Sequence, residues 1–217
     1  MDQAVLLALA LAGAGWGFVS DRLAARWPPH EDGSIRPIDW RTPVVVLAGA
    51  AAFAGTVLRF GAEEPITVAV VGVYVLALVV LFATDLDQRL LPDVITYPLI
   101  VLAAIVLVSG QSVFIRTGDE ALWAVAASIL LPAGLFVLSI PFGQGAIGQG
   151  DLKLLVSVGL LLGASKLVSA VIAGAILAGV TVGALLLFRR ISLKSFIPYG
   201  PFLIAGTLWA ILGLPQT

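Results

Sequence analysis

The sequence predicts an all-α integral membrane protein, a polytopic bundle of about eight transmembrane helices. Of its 217 residues, 60% are hydrophobic and 12% are charged, about half the charged fraction of an ordinary soluble domain. The mean hydropathy is +1.09, and apolar runs recur along the whole chain. The net charge is −1 without a basic patch, so a nucleic acid is excluded as a partner and the lipid bilayer is the expected surrounding.

Eight apolar segments are predicted in order along the chain. The first five are separated by polar or turn sequences, whereas only GASK separates the sixth from the seventh. The sixth segment is therefore short, and could be a half-helix or a re-entrant piece. The predicted segments are residues 4–20, 42–60, 66–84, 94–110, 121–141, 152 to about 167, 168–188 and 197–214.

The twelve Lys and Arg residues predict the orientation, because retained basic residues mark the cytoplasmic side of short loops. Nine fall on one side of the eight crossings and three on the other. Residues 1–20 are thus predicted to be a first membrane helix, residues 21–41 a short cytoplasmic loop, and both termini to lie outside. The nine are Arg22, Arg26, Arg36, Arg41, Arg89, Lys153, Arg189, Arg190 and Lys194; the three are Arg59, Arg116 and Lys166.

Loop 21–41 is predicted to lie on the membrane surface without a core of its own, because its Pro-Pro, Asp-Gly and Arg-Pro pairs indicate turns. His30, the only histidine, has no second imidazole or thiolate to accompany it. It is interpreted as solvated rather than as a metal ligand. The absence of cysteine excludes disulfides, thiol nucleophiles and Cys-ligated zinc.

Elimination leaves carboxylates as the candidates for chemistry. A single histidine gives no Ser-His triad, and neither GxSxG nor HExxH occurs. The Ser165–Lys166 and Ser192–Lys194 pairs lie in predicted short connections, where lysines normally extend toward headgroups. Carboxylates in the first loop or in outside loops are interpreted as solvated. They are Asp21, Glu31, Asp32, Asp39, Glu63, Glu64, Asp119 and Glu120.

Three aspartates follow the third apolar segment in DLDQRLLPD, where the chain turns at the cytoplasmic face. Asp85 ends a helix, where the macrodipole disfavours negative charge. Asp87 lies about 200° further round, and is interpreted as facing Arg89 or water. Asp93 follows Pro92 and is interpreted as the cap of the fourth helix.

Asp151 follows a glycine-rich turn and precedes the sixth apolar segment. Taken alone, it is interpreted as an N-cap of that helix. The topology, however, places it at the same membrane face as Asp85. Two neighbouring carboxylates cannot both ionise freely, so one keeps a proton, giving a general acid and a general base around a shared water. Gly148 and Gly150 would let a substrate backbone approach closely.

Three stretches together resemble one family: IGQGDLKLL at 147–155, DLDQRLLPDVIT at 85–96 and IPYGPFLIAG at 197–206. Their order and spacing are similar to those of type IV prepilin peptidases, which are GxGD intramembrane aspartyl proteases. The resemblance covers nearly the whole chain. It implies that Asp85 and Asp151 are catalytic, without a metal. Residues implied to support them or to bind substrate are Gly148, Gly150, Lys153, Asp87 and Pro92.

The resemblance implies removal of the short basic leader of prepilins and pseudopilins, the subunits of type IV pili and type II secretion, at the cytoplasmic side of the inner membrane. Residues 42–217 would form the transmembrane peptidase core. Residues 21–41 would be a reduced equivalent of the family's N-terminal cytoplasmic domain, which in many relatives binds zinc through cysteines. Such relatives also methylate the new N-terminus with S-adenosylmethionine. For this chain cleavage is implied without a cofactor, and methylation is left open.

Two functions of other classes are weighed against the peptidase. The same carboxylates could relay protons in a proton- or cation-coupled transporter. No internal repeat is found, however, and both aspartates are predicted near one face rather than at the midplane. A catalytically idle scaffold of a pilus or secretion apparatus is the third interpretation. The substrate's identity and the oligomeric state do not follow from the sequence.

Overall fold

The computed structural model describes residues 3–30, 33–142, 147–190 and 199–213, and these contain helices and no strand. The predicted all-α fold is confirmed, because each predicted apolar segment corresponds to one helix. The eight α-helices are α1 (Gln3–Ala24), α2 (Arg41–Phe60), α3 (Pro65–Gln88), α4 (Asp93–Val108), α5 (Gly118–Ser139), α6 (Gln149–Leu162), α7 (Ala164–Leu187) and α8 (Gly200–Leu212).

Five of the described helices, α1, α2, α3, α5 and α7, are long and apolar enough to cross a membrane. Helices α4 and α8 are apolar but shorter, and α6 has 14 residues. Several helices begin where the sequence gives a physical reason. Pro65 is the first residue of α3, where its missing N–H costs nothing. Thr117 and Glu120 form a capping box at the start of α5.

The predicted boundary between the sixth and seventh segments is wrong. Helix α6 ends at Leu162 and α7 begins at Ala164, so Gly163 alone separates them. Gly163 has φ +84°, a left-handed conformation that favours glycine. Lys166 is therefore not in a connection but within α7. Its side chain is buried, with Nζ 5.6 Å from the centre of the Phe114 ring.

The chain divides into two compact units, Met1–Leu99 and Ile100–Thr217. In the first unit, α1, α2 and α3 pack against one another. Its core includes Phe60, Tyr74 and Leu78, which are fully buried. In the second unit, α6 packs on α5, α7 and α8, and α7 also contacts α5 and α8. Leu154 and Leu203 belong to the core of this unit.

Glycines allow close helix contacts in both units. A Cβ on Gly13 of α1 would collide with the carbonyl oxygen of Gly49 in α2. In the second unit, a Cβ on Gly206 of α8 would collide with the carbonyl oxygen of Ala170 and lie 2.7 Å from the backbone nitrogen of Gly174. Membrane helices associate largely through van der Waals packing. Small residues at their contacts favour this association because they let the two backbones approach closely.

Replacing Gly206 by alanine is expected to separate α7 from α8, because the colliding atoms belong to backbone and cannot move aside. Overpacking of this kind costs about 1–3 kcal/mol. The thermal unfolding midpoint in detergent should therefore fall. Gly179→Ala is the matched control, since a methyl there meets nothing within 4 Å. Equal midpoints for the two variants would contradict the tight α7–α8 contact.

Candidate active site

Asp85 lies in the last turn of α3, in the first unit. Helix α3 continues to Gln88, so both Asp85 and Asp87 are helical. Asp85 is 5% exposed, and its carbonyl accepts the backbone N–H of Arg89 at 2.9 Å. Arg89 ends the helix with φ 56°. A carboxylate at this position lies at the negative end of the helix dipole, which does not stabilise a negative charge.

The structure contradicts the interpretation that Asp87 faces Arg89 or water. The Asp87 side chain is 2% exposed, and it is directed toward the segment between α1 and α2. Its Oδ1 lies 2.7 Å from Arg36 Nε and 2.9 Å from Arg41 Nη1. Its Oδ2 lies 3.1 Å from His30 Nε2. Since Asp85 and Asp87 are about 200° apart on the helix, the Asp85 side chain projects from a different side of α3.

The structure also corrects the interpretation of His30 and Asp21 as solvated, and it corrects that of Asp39 in part, since the Asp39 side chain is 30% exposed. His30 contacts Asp87, as described above. Asp21 belongs to α1 and is fully buried. Its Oδ1 contacts Arg36 Nη2, and its Oδ2 accepts hydrogen bonds from Arg22. Asp39 Oδ1 lies 2.6 Å from Arg36 Nη1.

These contacts form what we call the Arg36 cluster, which comprises three carboxylates and three guanidinium groups: Asp21, Asp39, Asp87, Arg22, Arg36 and Arg41. The opposite charges are equal in number. Burial alone would lower the pKa of Arg36, but its hydrogen bond with Asp21 and the charges of Asp21, Asp87 and Asp39 raise it. Arg36 therefore stays charged. Glu31 and Asp32, from the same loop, lie outside the described residues.

Pro92 and Asp93 follow the acidic turn. Helix α4 begins at Asp93, so Asp93 is its first residue rather than its cap. The buried Pro92 provides the carbonyl that accepts the N–H groups of Ile95 and Thr96, each at 3.0 Å. Pro92 therefore directly precedes α4 and accepts hydrogen bonds from its first turn.

Asp151 lies in the second unit, in the first turn of α6 and before the apolar run that begins at Leu152. The predicted N-cap is wrong in detail, because α6 begins at Gln149 and its N-cap is Gly148. Asp151 nevertheless reaches back, and its carboxylate accepts the backbone N–H of Gly148. Burial raises the pKa of Asp151 to about 6, and the Gly148 hydrogen bond opposes that rise.

Tyr199 is a neighbour of Asp151 that sequence reasoning missed. It directly precedes α8, and its hydroxyl donates to the carbonyl of Val171 in α7 at 3.1 Å. Burial raises the pKa of Tyr199, and the charge of Asp151 raises it further. Tyr199 lies within IPYGPFLIAG, so that motif contains the sequence signal for it. In the sequence alone, however, the motif supports only the family resemblance.

The remaining candidates occupy α6 or lie outside the described residues. Gly150 lies in the first turn of α6 and Lys153 lies just beyond it, and both are half-buried. The Ser192–Lys194 pair lies outside the described residues, as does part of the glycine-rich stretch before Ile147. Among the described residues, no group of three or more His, Asp or Glu side chains could hold a metal ion.

Comparisons with known proteins give a consistent result. Residues 72–184 match the model of the type IV leader peptidase family. A prepilin leader peptidase/N-methyltransferase of Burkholderia pseudomallei strain 1026b is 34% identical over 171 residues, covering 78% of this chain and 54% of the relative. The protein of that name from Bacillus subtilis strain 168 is 27% identical over 176 residues, covering 81% and 67%.

A third relative with that name, from Aeromonas hydrophila, is 31% identical over 137 residues, covering 63% of this chain and 47% of the relative. The chain thus spans about half the length of two of these three relatives. No solved structure matches it.

Proposed function

Because the chain belongs to the type IV leader peptidase family, we propose that it is a membrane aspartic endopeptidase. Its proposed reaction removes the short basic leader of type IV prepilins or pseudopilins at the cytoplasmic face of the cytoplasmic membrane. The observation that carries the proposal is the family match over residues 72–184. That range includes both Asp85 and Asp151.

In the proposed reaction, Asp85 and Asp151 share one proton and act on one water molecule. The ionised carboxylate takes a proton from the water, which attacks the scissile carbonyl. The protonated carboxyl group polarises that carbonyl and then supplies the proton that the departing amine needs. The burial of Asp85 in the last turn of α3 and the raised pKa of Asp151 support such a reaction, since a carboxyl group with a pKa of about 6 can both take and supply a proton near neutral pH.

The proposed substrate has two parts that suit this chain. Its hydrophobic helix would remain in the bilayer beside the apolar helices, and its basic leader would lie in the cytoplasm. The apolar character of α1, α2, α3, α5 and α7 supports a membrane location. The proposal covers cleavage alone, although the relatives' names pair a peptidase with an N-methyltransferase.

A co-expressed prepilin with a basic leader tests the proposed function. Membranes containing the wild-type chain should convert it to the shorter form, and mass spectrometry should locate a single cut between the leader and the hydrophobic helix. The same spectrum would report any methyl group on the new N-terminus. The double variant Asp85→Asn/Asp151→Asn, at matched membrane levels, provides the inactive background.

Proton or cation flux in liposomes separates the peptidase from the transporter. The proposal expects no flux that depends on the two aspartates. Aspartate-dependent flux without cleavage would overturn it in favour of transport, and neither activity would favour a scaffold.

Gly148→Ala is expected to reduce cleavage about tenfold, because small displacements of a catalytic group have large effects on rate. A Cβ on Gly148 would lie 3.1 Å from Asp151 Oδ2, so the carboxylate must shift. The initial cleavage rate measures the effect. Gly134→Ala serves as the control, since its methyl meets nothing within 4 Å. Equal rates for both variants would show that the Gly148 contact does not set the position of Asp151.

A further inference from the structure

Each nitrogen of the Arg36 guanidinium lies close to a different carboxylate: it hydrogen-bonds to Asp39 and Asp21 and forms an ion pair with Asp87. Its Nε lies 2.7 Å from Asp87 Oδ1, its Nη1 lies 2.6 Å from Asp39 Oδ1, and its Nη2 contacts Asp21 Oδ1. The side chain is 8% exposed. A planar, forked guanidinium can hydrogen-bond to two carboxylates in fixed directions while its charge attracts a third, whereas a lysine ammonium acts as a single point charge.

The three carboxylates lie at the ends of three different helices. Asp21 is in the last turn of α1. Asp39 precedes α2, and its Oδ1 accepts the backbone N–H of Arg41, the first residue of that helix, at 2.9 Å. Asp87 is in the last turn of α3. A single loop side chain therefore joins the ends of α1 and α3 to the start of α2.

Further contacts hold the last turn of α3 against residues 24–41, which include the connection between α1 and α2. Gln88 Nε2 donates to the carbonyl oxygens of Pro28 at 2.7 Å and Ala24 at 3.2 Å. His30 and Arg41 contact Asp87. Asp87 and Gln88 follow Asp85 by two and three positions in the same turn. Both contact residues within 24–41.

We propose that Arg36 is a positioning residue for Asp85, acting by holding the last turn of α3 against the ends of α1 and α2. The inference rests on the proposed function, in which Asp85 reacts with the substrate through water. A carboxylate that activates water must be held within a fraction of an ångström, and a misplacement of about 1 Å can cost about 100-fold in rate. In this inference Arg36 acts on Asp85 through α3.

The same arrangement has a consequence for substrate binding. Asp87 is 2% exposed and already contacts two arginines of its own chain. Its charge is therefore balanced within the Arg36 cluster. We assign Asp87 to the positioning of α3 and not to attraction of the basic leader.

Purified Arg36→Gln, Arg36→Lys and Arg26→Gln proteins test the inference in two ways. The first measurement is kcat and KM for prepilin cleavage. The second is amide hydrogen exchange in a peptide spanning residues 81–89, which does not depend on any activity. Arg26 is the matched control, because it is exposed and its Nη1 hydrogen-bonds only to the carbonyl of Arg22 in the contacts described.

Arg36→Gln is expected to lower kcat about 10- to 100-fold with KM within about threefold, and to speed exchange in 81–89. Arg36→Lys should fall between Arg36→Gln and wild type, because it restores charge but not the fork. Arg26→Gln should match wild type in both measurements. If the glutamine variant does not fold, the lysine variant decides by the same two measurements.

Two results would overturn the inference. One is unchanged exchange in 81–89 for a folded Arg36 variant, and the other is unchanged kcat in such a variant while Asp85→Asn abolishes cleavage. If the wild type itself does not cleave, the proposed function fails. Faster exchange in the Arg36 variants would then still establish that Arg36 holds α3. The inference that Arg36 positions Asp85 for catalysis would nevertheless be overturned.

Discussion

Asp85→Asn and Asp151→Asn are each expected to lower prepilin cleavage by at least about a thousandfold. Asparagine keeps the size of the side chain but can neither take nor supply the proton. General acid–base catalysis by a positioned group contributes about 10²–10⁴-fold, and the proposed reaction needs one carboxylate that takes a proton and one carboxyl group that supplies a proton. The measurement is the initial rate of leader removal at matched membrane levels of enzyme.

The two single variants should be no more active than the double variant, because groups that act as a unit are strongly non-additive. Asp119→Asn is the control, since Asp119 is an exposed acidic residue in the first turn of α5. It should cleave at the wild-type rate. Cleavage near the wild-type rate by Asp151→Asn would mean that Asp151 serves only the first turn of α6, through its hydrogen bond with Gly148.

The sequence was sufficient to predict the eight helices and the place of Asp151 near the start of the sixth, because both depend on local patterns. An apolar run specifies a membrane helix almost regardless of its neighbours. Likewise, a carboxylate that follows GQG at the start of such a run must lie in or next to the first turn of the helix. The exact cap could not be predicted, since whether the helix begins at Asp151 or two residues earlier depends on backbone dihedrals within one turn.

The Arg36 cluster could not be predicted, because it depends on residues distant in sequence. Arg36 and Arg41 contributed only to a count of positive charges, and Asp87 was paired with its sequence neighbour Arg89. The actual partners meet because α1, α2 and α3 pack together and bring both ends of the loop to α3. The boundary between the sixth and seventh segments could not be predicted for a related reason. The positive φ of Gly163 separates α6 from α7, but glycine also occurs within helices elsewhere in this chain.

Asp87→Asn is expected to destabilise the first unit, contrary to the interpretation of Asp87 as a water-facing side chain. The substitution leaves Arg36 and Arg41 without one of their carboxylates. Removing the sole partner of a buried charge costs about 3–5 kcal/mol, and the cost should be smaller here because Arg36 keeps Asp21 and Asp39. Thermal unfolding in detergent should therefore show a midpoint several degrees below that of wild type.

Asp39→Asn provides a graded comparison, since the Asp39 side chain is 30% exposed and that of Asp87 is 2% exposed. Water can replace part of the lost interaction at Asp39, so its midpoint should fall less. The difference between the two variants should persist at high salt, because ions screen buried pairs poorly. If Asp87→Asn and Asp119→Asn unfold at the same temperature, the Asp87 carboxylate makes no net contribution and the Arg36 cluster is not what holds α3.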